Sequence, residues 1–241
     1  MINEIKQRID AKIMEIANAK PSRNYLGASS IGEECDRKIW YGYHDRKKIQ
    51  DPRVHRIMDV GHWMESYALA MLKVSDYEVF HEENGSQFGF TDEEVAGNAD
   101  GVITLDGNPC LLEIKSANDK RFQEMVRDGV ERSNPVYFTQ MQVYMHYLEL
   151  DQALYFVVNK NNCDIHMEIV KYEKIKATYA VNRGKEIIRE EDVEQVARSY
   201  KSKAFFKCKY CDYRSICWKS ESPDTPEEVL GSFKLGKDFL L

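Results

Sequence analysis

The stretch GNADGVITLDGNPCLLEIKS, Gly97–Ser116, reads as a β-hairpin and decides the fold. Asp106-Gly107 is its turn. A two-residue loop between antiparallel strands needs positive φ at both positions, which Asp tolerates and Gly adopts freely. Counting outward from that turn, Leu105 faces Asn108 and Asp100 faces Glu113. Like charges opposed on a sheet destabilise it. Two carboxylates held together therefore need a proton, a cation or another partner. Lys115 lies two residues beyond Glu113 and so points to the same face. Oxygen donors at this density suit Mg²⁺ or Mn²⁺. An ordinary solvated sheet edge with a Glu–Lys pair is the bland alternative.

Around the hairpin the apolar spacing sets the other elements. Ile2, Ile5, Ile9, Ile13 and Ile16 recur at helical spacing, and Pro21 and Gly27 end that helix. SSIGEECDRKIWYGYH reads as a turn feeding a short helix. Asp51 as N-cap and Pro52 at the first helical position open a long helix. YEVFHEE and SQFGFT are short strands. DKRFQEMVRDG and PVYFTQMQVYMHYLEL are helices, and QALYFVVN and DIHMEIVKY are strands joined by KNNC. A helix from about 173 to 199, broken near Gly184, follows. This order predicts an α/β fold, a mixed central sheet flanked by helices.

The bulk properties narrow the function. The chain has 241 residues, 43% hydrophobic and 31% charged, as expected of an ordinary globular protein. A net charge of −6 argues against indiscriminate coating of nucleic acid, though not against a local basic groove. No apolar run reaches the roughly 18 residues of a membrane span, and the charged N-terminus does not read as a signal peptide. The expected location is the cytoplasm, without membrane association.

Two further motifs lie on helices. VGHWMES places His62 after Gly61, with Glu65 one turn later, and FTQMQVYMHY places Gln140 and Tyr144 on one helical face. Taken singly, each is ordinary helix chemistry. In order, Gly61-His62, Asp100, Glu113-Ile114-Lys115 and Gln140-x-x-x-Tyr144 resemble the RecB-type branch of the PD-(D/E)XK nuclease superfamily, over about residues 26 to 218. Ala99 stands where the family name has proline. The resemblance implies a restriction-endonuclease-like core. It implies a divalent metal held by His62, Asp100, Glu113 and the Ile114 carbonyl, with Lys115 acting on water and phosphate. Gln140 and Tyr144 would support the site and the strand near it. Phosphodiester hydrolysis needs a cation to offset developing charge and to supply hydroxide near neutral pH. An imidazole ligand leans the choice toward Mn²⁺.

Cys208, Cys211 and Cys217 form a close cluster that calls for a metal and a fourth ligand, for which Cys35 is the candidate. Cys110 and Cys163 read as ordinary thiols. The set also resembles the iron–sulfur members of the same branch, namely CRISPR-adaptation nucleases, AddB-type nuclease domains and stand-alone phage and bacterial exonucleases. That implies a structural 4Fe–4S cluster on Cys35, Cys208, Cys211 and Cys217, stapling the N-terminal helical region to the C-terminus, with Zn²⁺ as the alternative. Lys203, Lys207, Lys209 and Arg214, interleaved with Phe205, Phe206, Tyr210 and Tyr213, suit a single-stranded DNA path, to which Arg37 could add. A solvated face around the cluster is the alternative.

The chain is thus expected to be a single nuclease domain over 1–241. Segments 26–50 and 200–218 would form the cysteine subregion, and 219–241 a tail. The expected activity is a metal-dependent exonuclease on single-stranded or frayed DNA ends in recombination, repair or CRISPR adaptation. An endonuclease, a partner-dependent processing subunit and a non-catalytic binding protein on a nuclease fold are the alternatives.

Overall fold

A computed structural model describes residues 2–20, 23–44, 51–83 and 85–218. Pro21 and the expected tail 219–241 lie outside these residues. The elements run α1 (Ile2–Ala19), β1 (Leu26–Gly27), α2 (Ala28–Ile31), α3 (Asp36–His44), α4 (Pro52–Val74), β2 (Val79–Phe80), β3 (Glu82–Glu83), β4 (Ser86–Gln87), β5 (Gly89–Thr91), β6 (Val95–Asn98), β7 (Gly101–Leu105) and β8 (Asn108–Ala117). Then come α5 (Asp119–Ser133), α6 (Pro135–Leu148), β9 (Gln152–Asn159), β10 (Ile165–Lys171), α7 (Lys174–Arg189), a 3-10 turn (Val193–Gln195), α8 (Phe206–Lys209) and α9 (Arg214–Cys217).

The main sheet has the order β10-β9-β8-β7-β2. β8 and β9 are parallel and the remaining pairs antiparallel, so the sheet is mixed, as expected. Parallel neighbours need a crossover, and α5 and α6 supply it. A second sheet, β1-β6-β5, stands on the N-terminal side of the hairpin in sequence.

Asp106 and Gly107 have φ of 49° and 79°, the conformation their turn type demands. The register follows the turn, with Leu105 opposite Asn108 and Gly101 opposite Leu112. The expected strand over Gly97–Leu105 is split, however. β6 ends at Asn98 and pairs with β5 in the small sheet, whereas β7 starts at Gly101 in the main sheet. The chain changes sheets at Ala99-Asp100, so Asp100 lies just beyond the end of the ladder.

The core is built on one face of β8. Ile103, Cys110, Leu112, Ile114, Leu154, Phe156 and Val158 pack with Ala68, Leu69 and Leu72 of α4. α4 opens as its sequence predicts, with the Asp51 carboxylate accepting from Arg53 N–H at 2.8 Å and Pro52 in the first turn. α7 corrects the sequence reading. It runs through Gly184 without a break and ends at Arg189. A Cβ on Gly184 would lie 3.0 Å from Leu26 Cδ2, so glycine here gives close packing and does not mark a break.

By contacts the chain divides into two compact units, Met1–Gly32 with Lys48–Lys185, and Glu33–Lys47 with Glu186–Leu241. These two sheets, and the small β3-β4 sheet, belong to the first. In the second, the Trp40 indole N–H donates to Glu190 O at 2.8 Å, and Tyr41 stacks on Tyr213.

Within the first unit, Asp92 accepts from Lys185, from Tyr147 O–H at 2.9 Å and from Glu93 N–H at 2.6 Å. Lys185 foremost, these donors hold its carboxyl down at about 2, against an ordinary 3.8. A depressed carboxyl stabilises the fold above its unfolded pKa and loses that contribution as pH falls through the folded one. Asp92→Asn should therefore cost about 1 kcal/mol at pH 7, a typical figure for a surface pair. Urea melts should show the gap to wild type closing as pH drops from about 4 toward 2.

Candidate active site

The switch of the chain between sheets aims Asp100. Gly101 makes the bend possible, since a Cβ there would lie 2.9 Å from Phe80 O. Freed from the ladder, the Asp100 carboxylate accepts from Ile114 N–H at 2.7 Å. Hairpin counting places Asp100 beside Glu113, and the side chain reaches one residue further along the strand.

Glu113 lies on the face of β8 opposite Ile114 and is fully buried. Its Oε1 forms an ion pair with Lys115, and its Oε2 has no hydrogen-bond donor. Lys115 Nζ also donates to Ile114 O at 3.2 Å and lies 3.8 Å from Asp100 Oδ2. The ammonium thus sits among the oxygens of Asp100, Glu113 and Ile114. The Tyr137 ring is 5.3 Å from it, a cation–π contact.

Burial dominates the electrostatics. It pushes the Glu113 carboxyl up to about 7 even though Lys115 pulls the other way, and Asp100 adds to the rise. Glu65 is also pushed up to about 7, first by burial and then by Asp100. For Lys115, burial works against the charge, but Glu113 and Asp100 outweigh it and keep the ammonium protonated.

These groups open onto a cavity of about 640 Å³ in the first unit. His62, Asp100, Ile114, Lys115, Gln140 and Tyr144 all line it. Glu113 lies beneath. Tyr144 O–H donates to Asn98 O at 2.7 Å, which fixes β6 beside the site. Gly97 allows that approach, since a Cβ there would lie 2.7 Å from the Tyr144 ring. Glu65, Tyr137, Asn98, Arg23 and Lys160 also line the cavity and were not singled out as site residues from sequence. Only Glu65 left a signal, its position one helical turn after His62. The others depend on tertiary placement.

Among the described residues, no three His, Cys, Asp or Glu side chains are gathered tightly enough to enclose a metal ion. The donor set around Lys115 nonetheless fits a hard cation. One cation, the ammonium, already lies among two carboxylates and a carbonyl, and the buried Glu113 Oε2 lacks a partner. His62 is exposed on the cavity wall.

The expected cluster and DNA-path residues belong to the second unit. Burial raises the Cys208 thiol to about 11, and Cys35, Cys211 and Cys217 lie near enough to raise it further. Contrary to expectation, Arg37 is not presented to a ligand. It is 5% exposed, and its guanidinium donates to Val196 O at 2.7 Å and pairs with Glu194 at 2.8 Å. Lys203 is 9% exposed and so withdrawn from the surface as well. Lys207 pairs with Glu34 at 2.7 Å. Arg214 is half-buried and donates to Lys203 O, whereas Lys209 and Tyr210 are exposed.

Residues 12–218 match the profile of the PD-(D/E)XK nuclease superfamily. The chain belongs to this superfamily. Among solved structures, the chain is similar to SSO0001, at 15% identity and a TM-score of 0.55, covering 90% of this chain and 98% of that one. It is also similar to an alkaline exonuclease from Laribacter hongkongensis, at 15% identity and a TM-score of 0.50, covering 71% and 89%. At these identities the likeness shows the fold, which is the restriction-endonuclease-like one expected. No curated protein matches the chain closely enough to count as a relative.

Two outcomes follow for the site. Removing Lys115 leaves a buried carboxylate unpaired, so Lys115→Ala should lower metal-free stability by about 3 kcal/mol. Mn²⁺ should then raise the melting temperature of the variant more than that of wild type. Burial raises the Glu113 carboxyl to about 7, and it must be ionised to bind a cation. Calorimetry at pH 6 should therefore show proton release on Mn²⁺ binding, and binding should tighten from pH 6 to 8.

Proposed function

We propose that the protein is a divalent-metal-dependent DNA exonuclease that acts on single-stranded or frayed ends. The observation that carries this reading is the set of oxygens from Asp100, Glu113 and Ile114 around the Lys115 ammonium at the cavity wall. A hard cation bound there, Mn²⁺ or Mg²⁺, would polarise the phosphate and lower the pKa of an attacking water.

The chain's own residues supply the rest. Asp100, Glu113 and the Ile114 carbonyl would hold the cation, and His62 of α4 would complete the set. Lys115 stays protonated, so its part is to orient water and to offset charge on the phosphate, and it does not take a proton. Glu65, with a carboxyl near 7, is suited to receive the proton of the attacking water. Tyr144 holds β6, and Gln140 and Tyr144 would support the DNA strand beside the reacting phosphate. The name of the similar Laribacter protein supports the exonuclease reading, and recombination, repair or CRISPR adaptation is the process it suits.

The second unit completes the proposal. Cys35, Cys208, Cys211 and Cys217 would hold a structural 4Fe–4S cluster, a reading supported by the sequence resemblance and by their common place in the second unit. Protein purified without oxygen should be brown and contain iron and sulfide. Colourless protein with stoichiometric zinc would replace this reading with a Zn²⁺ site.

The activity is tested on linear and circular single-stranded DNA with Mn²⁺. The linear form should be degraded and the circular form left intact. Asp100→Asn and Lys115→Ala should each slow degradation by about 10²-fold or more. Cleavage of the circle would make the enzyme an endonuclease. No cleavage of either form would leave a binding protein on a nuclease fold.

A further inference from the structure

The cavity does not end at Asp100. It continues into a second basin of about 380 Å³, and Glu65, Ser66, Gln87 and Asp100 line both. The far wall of that basin carries Lys73, from the last turn of α4, and His81, between β2 and β3. Lys73 Nζ lies 3.4 Å from His81 Nε2. Two nitrogens that can both donate thus face each other beside the proposed metal-binding carboxylates.

We propose that Lys73 and His81 bind a backbone phosphate of the same DNA strand, one or two nucleotides from the bond being cleaved. This rests on the nuclease reading of the adjoining site. Without an anion, the two nitrogens are within hydrogen-bond distance of each other. With a phosphate between them, both groups turn their donors to its oxygens, and such charge-assisted hydrogen bonds are about twice as strong as neutral ones. Glu82 lies on the same wall and keeps the basin from being uniformly basic. That suits a subsite for one phosphate in a strand held elsewhere, and not an autonomous anion trap.

The position of His81 is built into the fold. Its carbonyl accepts from Phe88 N–H at 3.0 Å. Gly101 lies so close that a Cβ there would meet His81 Cβ at 3.4 Å. Gln87, on the floor shared by both basins, donates to Ala99 O at 3.1 Å. The segment carrying His81 is thus tied to the same bend that aims Asp100. From Glu65 to Lys73 is eight residues of helix, about 12 Å along the axis, which a lysine side chain shortens to the scale of one or two nucleotide steps.

The test uses the full chain, Mn²⁺ and single-stranded oligonucleotides with one uncharged methylphosphonate at each linkage in turn. Wild type should lose about tenfold in kcat/KM when the methylphosphonate sits at one linkage within two nucleotides of the cut. The double variant Lys73→Met with His81→Phe should lose about as much on unmodified DNA, and that same methylphosphonate should then cost it less than about twofold more. The inference is overturned if wild type cleaves but shows no such sensitive linkage, or if the double variant keeps the wild-type sensitivity pattern. The wild-type scan does not depend on how well the variant folds. A wild type that cleaves no DNA at all is a different result, which overturns the nuclease reading and this inference with it.

Discussion

The site depends on one buried charge pair. Glu113 has no exposed surface, and its carboxylate has Lys115 as its ion-pair partner. An unpaired carboxylate in that position would be prohibitively costly, and a paired one is tolerated only if its remaining lone pairs are met. One oxygen of Glu113 is left without a donor. The fold thus holds a carboxylate in a place where only a cation satisfies it, and it does so on the central strand of its main sheet. Such an arrangement is difficult to explain by stability alone. It follows naturally if the position is reserved for a metal ion that shares the site with phosphate.

Asp100 shows how the rest of the structure serves that pair. If β6 continued straight into β7, its carboxylate would stand opposite Glu113 and add repulsion. The change of sheet at Ala99-Asp100 moves it beyond the ladder, where Ile114 N–H satisfies one oxygen and the residue lines the cavity. Gly101, Gly97 and Tyr144 together maintain that bend. The glycines admit close neighbours, and the tyrosine anchors β6 through Asn98 O. The geometry of the candidate site and the topology are therefore one feature of the fold.

Much of this was legible in the sequence, for definite physical reasons. The Asp106-Gly107 turn fixed the hairpin register because its φ requirements leave few alternatives. The alternation of side chains then put Glu113 and Lys115 on one face and Ile114 in the core. What could not be read was any feature set by distant contacts. The split of β6 from β7 depends on β5 competing as a partner. The continuity of α7 through Gly184 depends on the fit against Leu26 and Ile31. The basic C-terminal stretch illustrates the same limit, because composition cannot distinguish an exposed cation such as Lys209 from Arg37, whose charge is spent inside the second unit. Glu65 lies between these cases, since helical spacing placed it near His62 but only the folded chain buries it, and brings it close enough to Asp100, to raise its carboxyl.

The central claim is that Asp100, Glu113 and the Ile114 carbonyl form the seat of a divalent cation. A crystal soaked in Mn²⁺ and measured for anomalous scattering tests it most directly. The account predicts a strong anomalous peak bonded to the carboxylates of Asp100 and Glu113 and to Ile114 O, with the Lys115 ammonium displaced from among them. A fully soaked crystal with no peak at that position, and Lys115 still paired to Glu113, would contradict it.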